Sequence, residues 1–359
     1  MIVIDCRCLQ DDSKFRGIGT VIRSVLKHLP NKHQYRLLCE KQRDIIDTFD
    51  IELLEFFPPS NKHLYGQCLA TFLKGHNIKH CHFMAQYNIP ANFNFPFSVT
   101  VHDLFNDAFL TNQKRYQKKL APLLTALRKA KHIIAISHYT KTTIIEQLPN
   151  SQVSVIYNGF NSSITSDATQ DLDLTNHFNI QKPYIMYVGN YEKRKNFLGA
   201  LRGFIEFNKH YPNYHLVACT GHQPLILPPT ILYCLIRYHK NIKLLSYINS
   251  QALATIYTHA TALLFTSFAE GFGLPVLEAM STQTPAVISN MTSLPEVGQD
   301  AAIYADPYNP TDIATGLIKI TADQTCRRTI IDNMPKVLAQ FDSKNQAVLY
   351  DQTLTSLLL

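Results

Sequence analysis

The sequence predicts an α/β protein made of two parallel-sheet domains. Short Ile- and Val-rich runs alternate with segments of helical apolar spacing through all 359 residues, the pattern of buried parallel strands joined by crossover helices. The alternation stops in a polar stretch at 161–180, rich in Ser, Thr, Asp and Asn, and restarts at Tyr184; such a stretch reads as a linker. The length also exceeds what one core comfortably serves.

In chain order, Met1–Arg7 is an apolar strand and Phe15–Thr20, with Gly17 and Gly19, is expected as a loop. A helix over Val21–Leu29 follows. Strand, glycine turn and helix suggest a ligand loop, although the GxG is incomplete. His80–Met84 and Phe97–Val101 read as strands. His76, His80 and His82 have a metal-like look, but their alternation and the lack of a nearby carboxylate argue against a metal site. His102-Asp103-Leu104 closes the second of these strands at its C-terminal end, where α/β sheets bind ligands. His102 can donate or accept there near neutral pH; the structural alternative is a bond to Asp103. Residues 111–131 predict a basic helix, Ile133–Ser137 a strand with Ser137 as a helix cap, and Val153–Ile156 a strand ended by Asn158-Gly159.

After the linker, strands are expected at Tyr184–Val188, Tyr214–Cys219, Ile242–Leu245, Ala262–Phe265, Pro285–Ser289 and Ala301–Tyr304, with helices between them. Gly189 opens a loop that carries Lys193, Arg194 and Lys195. Helices at Thr311–Ile320, Cys326–Leu338 and Asn345–Leu359 finish the chain. The densest signal is Glu270-Gly-Phe-Gly-Leu-Pro-Val-Leu-Glu278. It reads as strand end, tight glycine loop and a helix from about Pro275, with Glu278 in the first turn. The N–H groups of that helix start suit an anion. The two carboxylates suit hydroxyls as hydrogen-bond acceptors. Together they describe a place for a sugar joined to a phosphate; the plain alternative is an acidic helix start favoured by the dipole.

Composition narrows the classes. No apolar run reaches the roughly 20 residues needed to span a bilayer. The opening MIVIDCRCLQ lacks a basic and apolar leader, and the eight scattered cysteines read as reduced thiols, so a cytoplasmic protein is expected. Lys and Arg exceed Asp and Glu by 20 to 13 over residues 1–170 and equal them, 14 to 14, over 171–359. The basic half, with Lys114, Arg115, Lys118, Lys119, Arg128, Lys129 and Lys131, suits an anionic surface or substrate. No recognised module frames it for nucleic acid.

These motifs, in this order, resemble the retaining glycosyltransferases of family 4. Glu270–Met280 is similar to the family's carboxylate pair with its Gly-Phe-Gly-Leu-Pro interior, and Leu294-Pro295-Glu296 to the segment downstream. Tyr187-Val188-Gly189 with Arg194-Lys195-Asn196 is similar to the loop opening the second domain. Asn158-Gly159, His102-Asp103-Leu104 and Gly17-Ile18-Gly19 resemble the first domain's segments. The resemblance covers nearly the whole chain and is strongest to the bacterial mannosyltransferase-like branch. Thr20, Lys193 and Ser246 depart from the residues common in the family.

The resemblance implies the GT-B fold, two Rossmann-like domains facing across a cleft: 1–170 for the acceptor, 171–340 for the nucleotide sugar, and 341–359 as a helix returning to the first. It implies Arg194 and Lys195 on the diphosphate, Glu270 on sugar hydroxyls and Glu278 on the ribose. Phe272, Gly273 and Leu274 would supply main-chain N–H groups, and His102 would meet the reacting face. Gly17, Gly19, Asn158 and Gly189 would complete the binding surface. The expected donor is GDP-mannose, with a UDP-sugar as the alternative, and the expected acceptor is a glycan or lipid-linked glycan. No metal or separate cofactor is expected. A peripheral contact with anionic membrane is expected from the basic half. A non-catalytic sugar-nucleotide-binding scaffold is the alternative outside enzymes.

Overall fold

The computed structural model describes residues 1–15, 17–41, 48–105, 113–160, 174–221, 227–246 and 248–358. The heart of the expected linker, with Asp171 and Asp173, lies outside the described residues. The chain divides into two compact units. The first takes Met1–Phe105, Asn112–Phe160 and Phe341–Leu359; the second includes Asn161–Gln340.

The sheet of the first unit has seven strands: β1 (Ile2–Asp5), β2 (Tyr35–Glu40), β3 (Leu53–Phe56), β4 (His80–Phe83), β5 (Phe97–Val101), β6 (His132–Ala135) and β7 (Val153–Val155). Their order is β3-β2-β1-β4-β5-β6-β7, and every pairing is parallel. β1, β4 and β5 are buried at each residue. Sheets covered on both faces need continuous burial rather than alternation, which is why these strands read as runs. The order reverses between β1 and β4, making a switch point at their C-terminal ends.

One expected loop is helix. After a short 3-10 turn at Asp12–Phe15, the helix Gly17–His28 begins at Gly17, and Gly19 is buried within its first turn. Ile18 packs against the same core as Ile22, Val25 and Leu26, so the apolar spacing reaches back through the glycines and overrides their turn signal. The basic helix runs Gln113–Leu127 with Pro122 inside it, and it turns Leu120, Leu123 and Leu124 toward the core.

The helix Ser343–Ser356 completes the first unit. Its Asp351 accepts from Tyr35 Oη and Asn31 Nδ2, each at 2.7 Å. Ser343 lies so close to Gly159 that a Cβ there would sit 2.9 Å from the Ser343 Cα. This approach, rather than an unusual φ, accounts for glycine at 159. Tyr350 Oη is 3.0 Å from Thr100 Oγ1, which bonds His82 Nε2 at 3.0 Å; the His82 Nδ1 and the His80 Nε2 each lie 2.8 Å from Ser98 Oγ. The His80 and His82 rings are therefore held by hydroxyls, while His76 is exposed and bonds the Phe72 carbonyl.

Burial, with Lys131 and His132 adding repulsion, pulls His80 down to about 4, and burial pulls His82 well below its ordinary value. The folded state keeps these rings neutral. Below the ordinary value of about 6.5 the unfolded chain takes protons that the folded chain refuses. Stability is thus fully present above pH 6.5 and lost as pH falls toward 4. His80 alone is expected to remove about 3 kcal/mol across that window. Urea titrations at pH 7 and pH 5 check this, and equal unfolding free energies at the two values would contradict it.

The second unit repeats the topology with six parallel strands: β8 (Tyr184–Val188), β9 (His215–Cys219), β10 (Ile242–Leu245), β11 (Ala262–Phe265), β12 (Ala286–Ser289) and β13 (Ile303–Ala305). Their order is β10-β9-β8-β11-β12-β13. The last strand starts later than Ala301, because Gln299–Ala301 forms a 3-10 turn whose Gln299 carbonyl accepts from Tyr304 Oη at 2.7 Å. The switch point lies between β8 and β11. Among the described residues no helix is long and apolar enough to cross a membrane.

Candidate active site

Two loops leave the C-terminal ends of β8 and β11 and meet at the second unit's switch point. The β8 loop passes Gly189, where a Cβ would meet Tyr187 Oη at 2.9 Å, and forms a 3-10 turn at Lys193–Lys195. Asn196 then takes a left-handed conformation (φ 52°), which asparagine tolerates better than most residues. Its Oδ1 accepts from the Gly199 N–H and caps the helix Phe197–Asn208. Its Nδ2 donates to Thr266 O at 3.0 Å and Pro307 O at 2.8 Å. One buried side chain thus joins the basic turn to the end of β11. The Phe268 N–H to Arg194 O (2.7 Å) and Tyr187 Oη to Lys195 O (3.1 Å) fix the same turn.

The β11 loop is pinned from the other side. The Glu270 N–H donates to Thr292 Oγ1 at 3.1 Å. The buried Ser293 hydroxyl is shared between Glu270 O (2.9 Å) and Phe272 O (2.8 Å). Gly273 has φ 119°, a conformation that requires glycine, and a Cβ there would also have to displace Leu294, whose Cδ2 would lie 2.6 Å away. Gly271 does not share this feature, since the second unit's positive-φ glycines among the described residues are Gly189, Gly221 and Gly273.

These supports bring Arg194, Lys195 and Glu270 together. Lys195 Nζ is 2.7 Å from Glu270 Oε1, and Arg194 Nη1 is 3.1 Å from Glu270 Oε2. Arg194 Nε also pairs with the more exposed Glu192 at 2.7 Å, and Lys195 Nζ stands 5.3 Å over the Phe265 ring. Burial would push the Glu270 carboxyl up, but Lys195 and Arg194 outweigh it and hold it below its ordinary value. Burial and the neighbouring Arg194 charge keep the Lys195 ammonium below its own ordinary value in spite of Glu270. Two cations share one inner carboxylate, and Arg194 also holds the outer Glu192, so their N–H donors are oriented before an anion arrives.

The following helix is Leu274–Ser281, capped by Gly273 without a side-chain acceptor. Among the described residues the N–H groups of Gly273 and Leu274 have no partner. A helix start of this kind is a ready anion contact. Because the helix begins at Leu274, Glu278 belongs to its second turn rather than its first. Burial raises the Glu278 carboxyl, partly countered by Tyr257, whose Oη donates to Oε2 at 2.9 Å, and by Lys195.

In the first unit His102 follows β5. Its Nε2 donates to Met84 O at 2.8 Å, and its N–H donates to Gln86 Oε1 at 3.1 Å. Burial holds the ring below its ordinary value against the opposing pull of Met84 O and Asp103. The neutral ring therefore carries its proton on Nε2 and has Nδ1 as acceptor. The alternative bond to Asp103 does not form; Asp103 Oδ1 accepts from Tyr87 Oη at 2.6 Å and Gln86 Nε2 at 3.2 Å. Asn158 is buried, and its Oδ1 makes no hydrogen bond among the described residues.

Sequence reasoning missed several supports. Asn196 could have been read as a cap, being an asparagine just before an apolar-periodic run. Thr292, Ser293 and Tyr257 carry no local signal. Nor does the pair at the first unit's switch point, where Arg7 Nε meets Asp5 Oδ1 at 2.6 Å and its Nη atoms reach Tyr65 Oη and Asn88 O. Among the described residues no group of three or more His, Cys, Asp or Glu side chains is placed to hold a metal ion.

The chain matches the family model for Glycosyltransferase Family 4 over residues 15–163 and that for Glycosyl transferases group 1 over residues 173–337. It is 30% identical over 224 residues to O-antigen chain mannosyltransferase B of Escherichia coli, covering 59% of this chain and 57% of that protein. It is 28% identical over 217 residues to O-antigen chain mannosyltransferase RfbU of Salmonella typhimurium, covering 58% and 56%. The chain spans about half the length of the curated relatives it matches. Among solved structures, sucrose-phosphate synthase from Thermosynechococcus elongatus superposes with a TM-score of 0.76 at 17% identity, covering 99% of this chain and 98% of that one. Anabaena Alr3699/HepE in complex with UDP-glucose gives 0.75 at 16% identity, covering 99% of each. The architecture is the GT-B type of α/β fold, with two parallel-sheet, Rossmann-like domains.

Proposed function

We propose that this GT-B chain is a retaining glycosyltransferase that moves mannose from GDP-mannose to a saccharide or lipid-linked saccharide in surface glycan synthesis. The observation that carries the reading is the meeting of Arg194, Lys195, Glu270 and the open helix start at Gly273–Leu274 at one switch point. Crevices at such points bind nucleotides in open α/β sheets. In this reading the second domain, about 171–340, holds the donor and the first, about 1–170, holds the acceptor. Phe272, Gly273, Leu274, Arg194 and Lys195 serve the diphosphate and sugar, with Gly189 shaping the loop. Glu278 serves the ribose through the oxygen not used by Tyr257.

Charge grows on the diphosphate as the glycosidic bond breaks. Cations held in place by Glu270 and by the Asn196 contacts stabilise that charge without reorganising. Glu270 has two duties, orienting both cations and presenting a carboxylate edge to sugar hydroxyls. The family resemblance supports attack by the acceptor on the face that the diphosphate leaves, with a phosphate oxygen taking the acceptor proton. It also supports a place in the site for His102, whose Nδ1 can accept from a sugar hydroxyl, and for the exposed Gly17 at its helix start, with Gly19 and Asn158 buried behind the binding surface. The chain acts in the cytoplasm on this reading, at the membrane where its acceptor is lipid-linked.

The names of the O-antigen mannosyltransferase relatives favour mannose. A UDP-sugar is the second reading, favoured by the UDP-glucose complex of the HepE structure. Mannosyl transfer is tested by following GDP release and glycan product by mass spectrometry, with GDP-mannose and UDP-glucose in parallel. Turnover is expected with GDP-mannose and is expected to be unchanged by EDTA, because two cations and a helix start already face the leaving group. Turnover with UDP-glucose alone would replace the donor. Loss in EDTA with recovery on adding magnesium or manganese would contradict metal independence.

A further inference from the structure

The helix Pro229–Arg237 has one face committed to the fold and one that is not. Ile231 and Cys234 are buried, while Leu232, Tyr233 and Ile236 are 46%, 67% and 65% exposed. At i, i+1 and i+4 these three form one continuous arc on the helix surface. Among the described residues of the second unit, the other exposed large apolar side chain is Tyr308, which stacks on Phe268. The arc is a patch rather than ordinary scattered exposure.

The charge on its own segment has one sign. Residues 210–269 contain Arg237, Lys240 and Lys243 and no Asp or Glu, while Lys209 is already paired with Glu206. Arg237 and Lys240, at the C-terminal end of the helix, are exposed, and the Arg237 guanidinium lies 5.4 Å over the Tyr238 ring. An apolar arc with a tyrosine, carrying two exposed cations at the end of the same helix and no carboxylate on that helix, suits the boundary between acyl chains and anionic head groups. A second copy of the chain suits it less, since the segment 229–240 carries no carboxylate to meet Arg237 and Lys240 across a self-complementary contact.

We propose that this helix is the chain's membrane-docking element, seating Leu232, Tyr233 and Ile236 shallowly in an anionic bilayer with Arg237 and Lys240 on lipid phosphates. The basic helix Gln113–Leu127 lacks the second ingredient, because its described leucines turn into the core. It adds long-range attraction but no insertion. Three side chains and two cations make a weak, reversible contact. The proposal stands on this surface alone and does not depend on the glycosyl-transfer reading.

The test is co-sedimentation of the 359-residue chain at physiological salt with phosphatidylcholine vesicles, with and without about 30 mol% phosphatidylglycerol. Binding is expected only with the anionic lipid. The double variants Tyr233→Ser/Ile236→Ser and Arg237→Gln/Lys240→Gln are each expected to weaken it about tenfold. Their unfolding midpoints should match wild type, because these positions are exposed. Among the vesicle results, three overturn the proposal: equal recovery with both vesicle types, variants that bind like wild type, or loss confined to Lys118→Gln/Lys129→Gln. Sedimentation velocity showing a dimer that Tyr233→Ser/Ile236→Ser dissolves, without vesicle binding, would assign the arc to a second copy and also overturn it.

Discussion

Lys195→Ala is expected to lower kcat/KM for the donor by about 10²- to 10³-fold, the range for one preorganised electrostatic contact to a developing anion. The loss should be divided between KM and kcat, because the ammonium meets the diphosphate both before and during bond breaking. The variant also leaves buried Glu270 with Arg194 as its remaining inner cation. Glu270→Gln separates the two effects. It keeps size and an acceptor but removes the charge that orients both cations. Turnover is expected to fall about 10²-fold while nucleoside diphosphate affinity holds within a few-fold. Steady-state kinetics with titration of the free diphosphate reads both. Full activity in either variant would remove the residue it changes from the chemistry.

Asn196→Asp is expected to cost about 3 kcal/mol or more of stability. The substitution keeps shape and the capping oxygen. It replaces two N–H donors with a carboxylate edge facing Thr266 O and Pro307 O in a buried place, so two carbonyls lose their partner and a charge is buried beside them. Asn196→Ala should cost less, about 2 kcal/mol, losing the cap and two bonds without adding charge. Urea unfolding of both variants checks the order. Unchanged stability in Asn196→Asp would show that the basic turn is held by other contacts.

The two residues show what the sequence reveals and what it conceals. Buried parallel strands such as β5 and β11 are legible because full burial imposes unbroken apolar runs. The loop–helix unit at Glu270–Met280 is legible because proline and glycine have few conformations available at a helix start. The pairing of Lys195 with Glu270 is not legible from local pattern. The two residues are distant in the chain and meet only because β8 and β11 are neighbours in a 3-2-1-4 order. Taken separately, Lys195 read as a phosphate cation and Glu270 as a hydroxyl acceptor; in the fold each is the other's partner. The Gly17–Gly19 segment shows the converse, a glycine turn signal overridden by packing of Ile18. Asp351, Tyr350 and Ser343 dock the last helix through contacts with residues hundreds of positions earlier, which no window of sequence displays.

The second unit's switch point is expected to receive the diphosphate of a nucleotide sugar. Calorimetric titration of the chain with GDP, UDP and ADP tests it most directly. GDP is expected to bind, to weaken in Lys195→Ala and to persist in Glu270→Gln. Binding of none of the three at about millimolar concentration, the weak limit for a substrate site, would contradict the account, and so would nucleotide binding indifferent to Lys195→Ala.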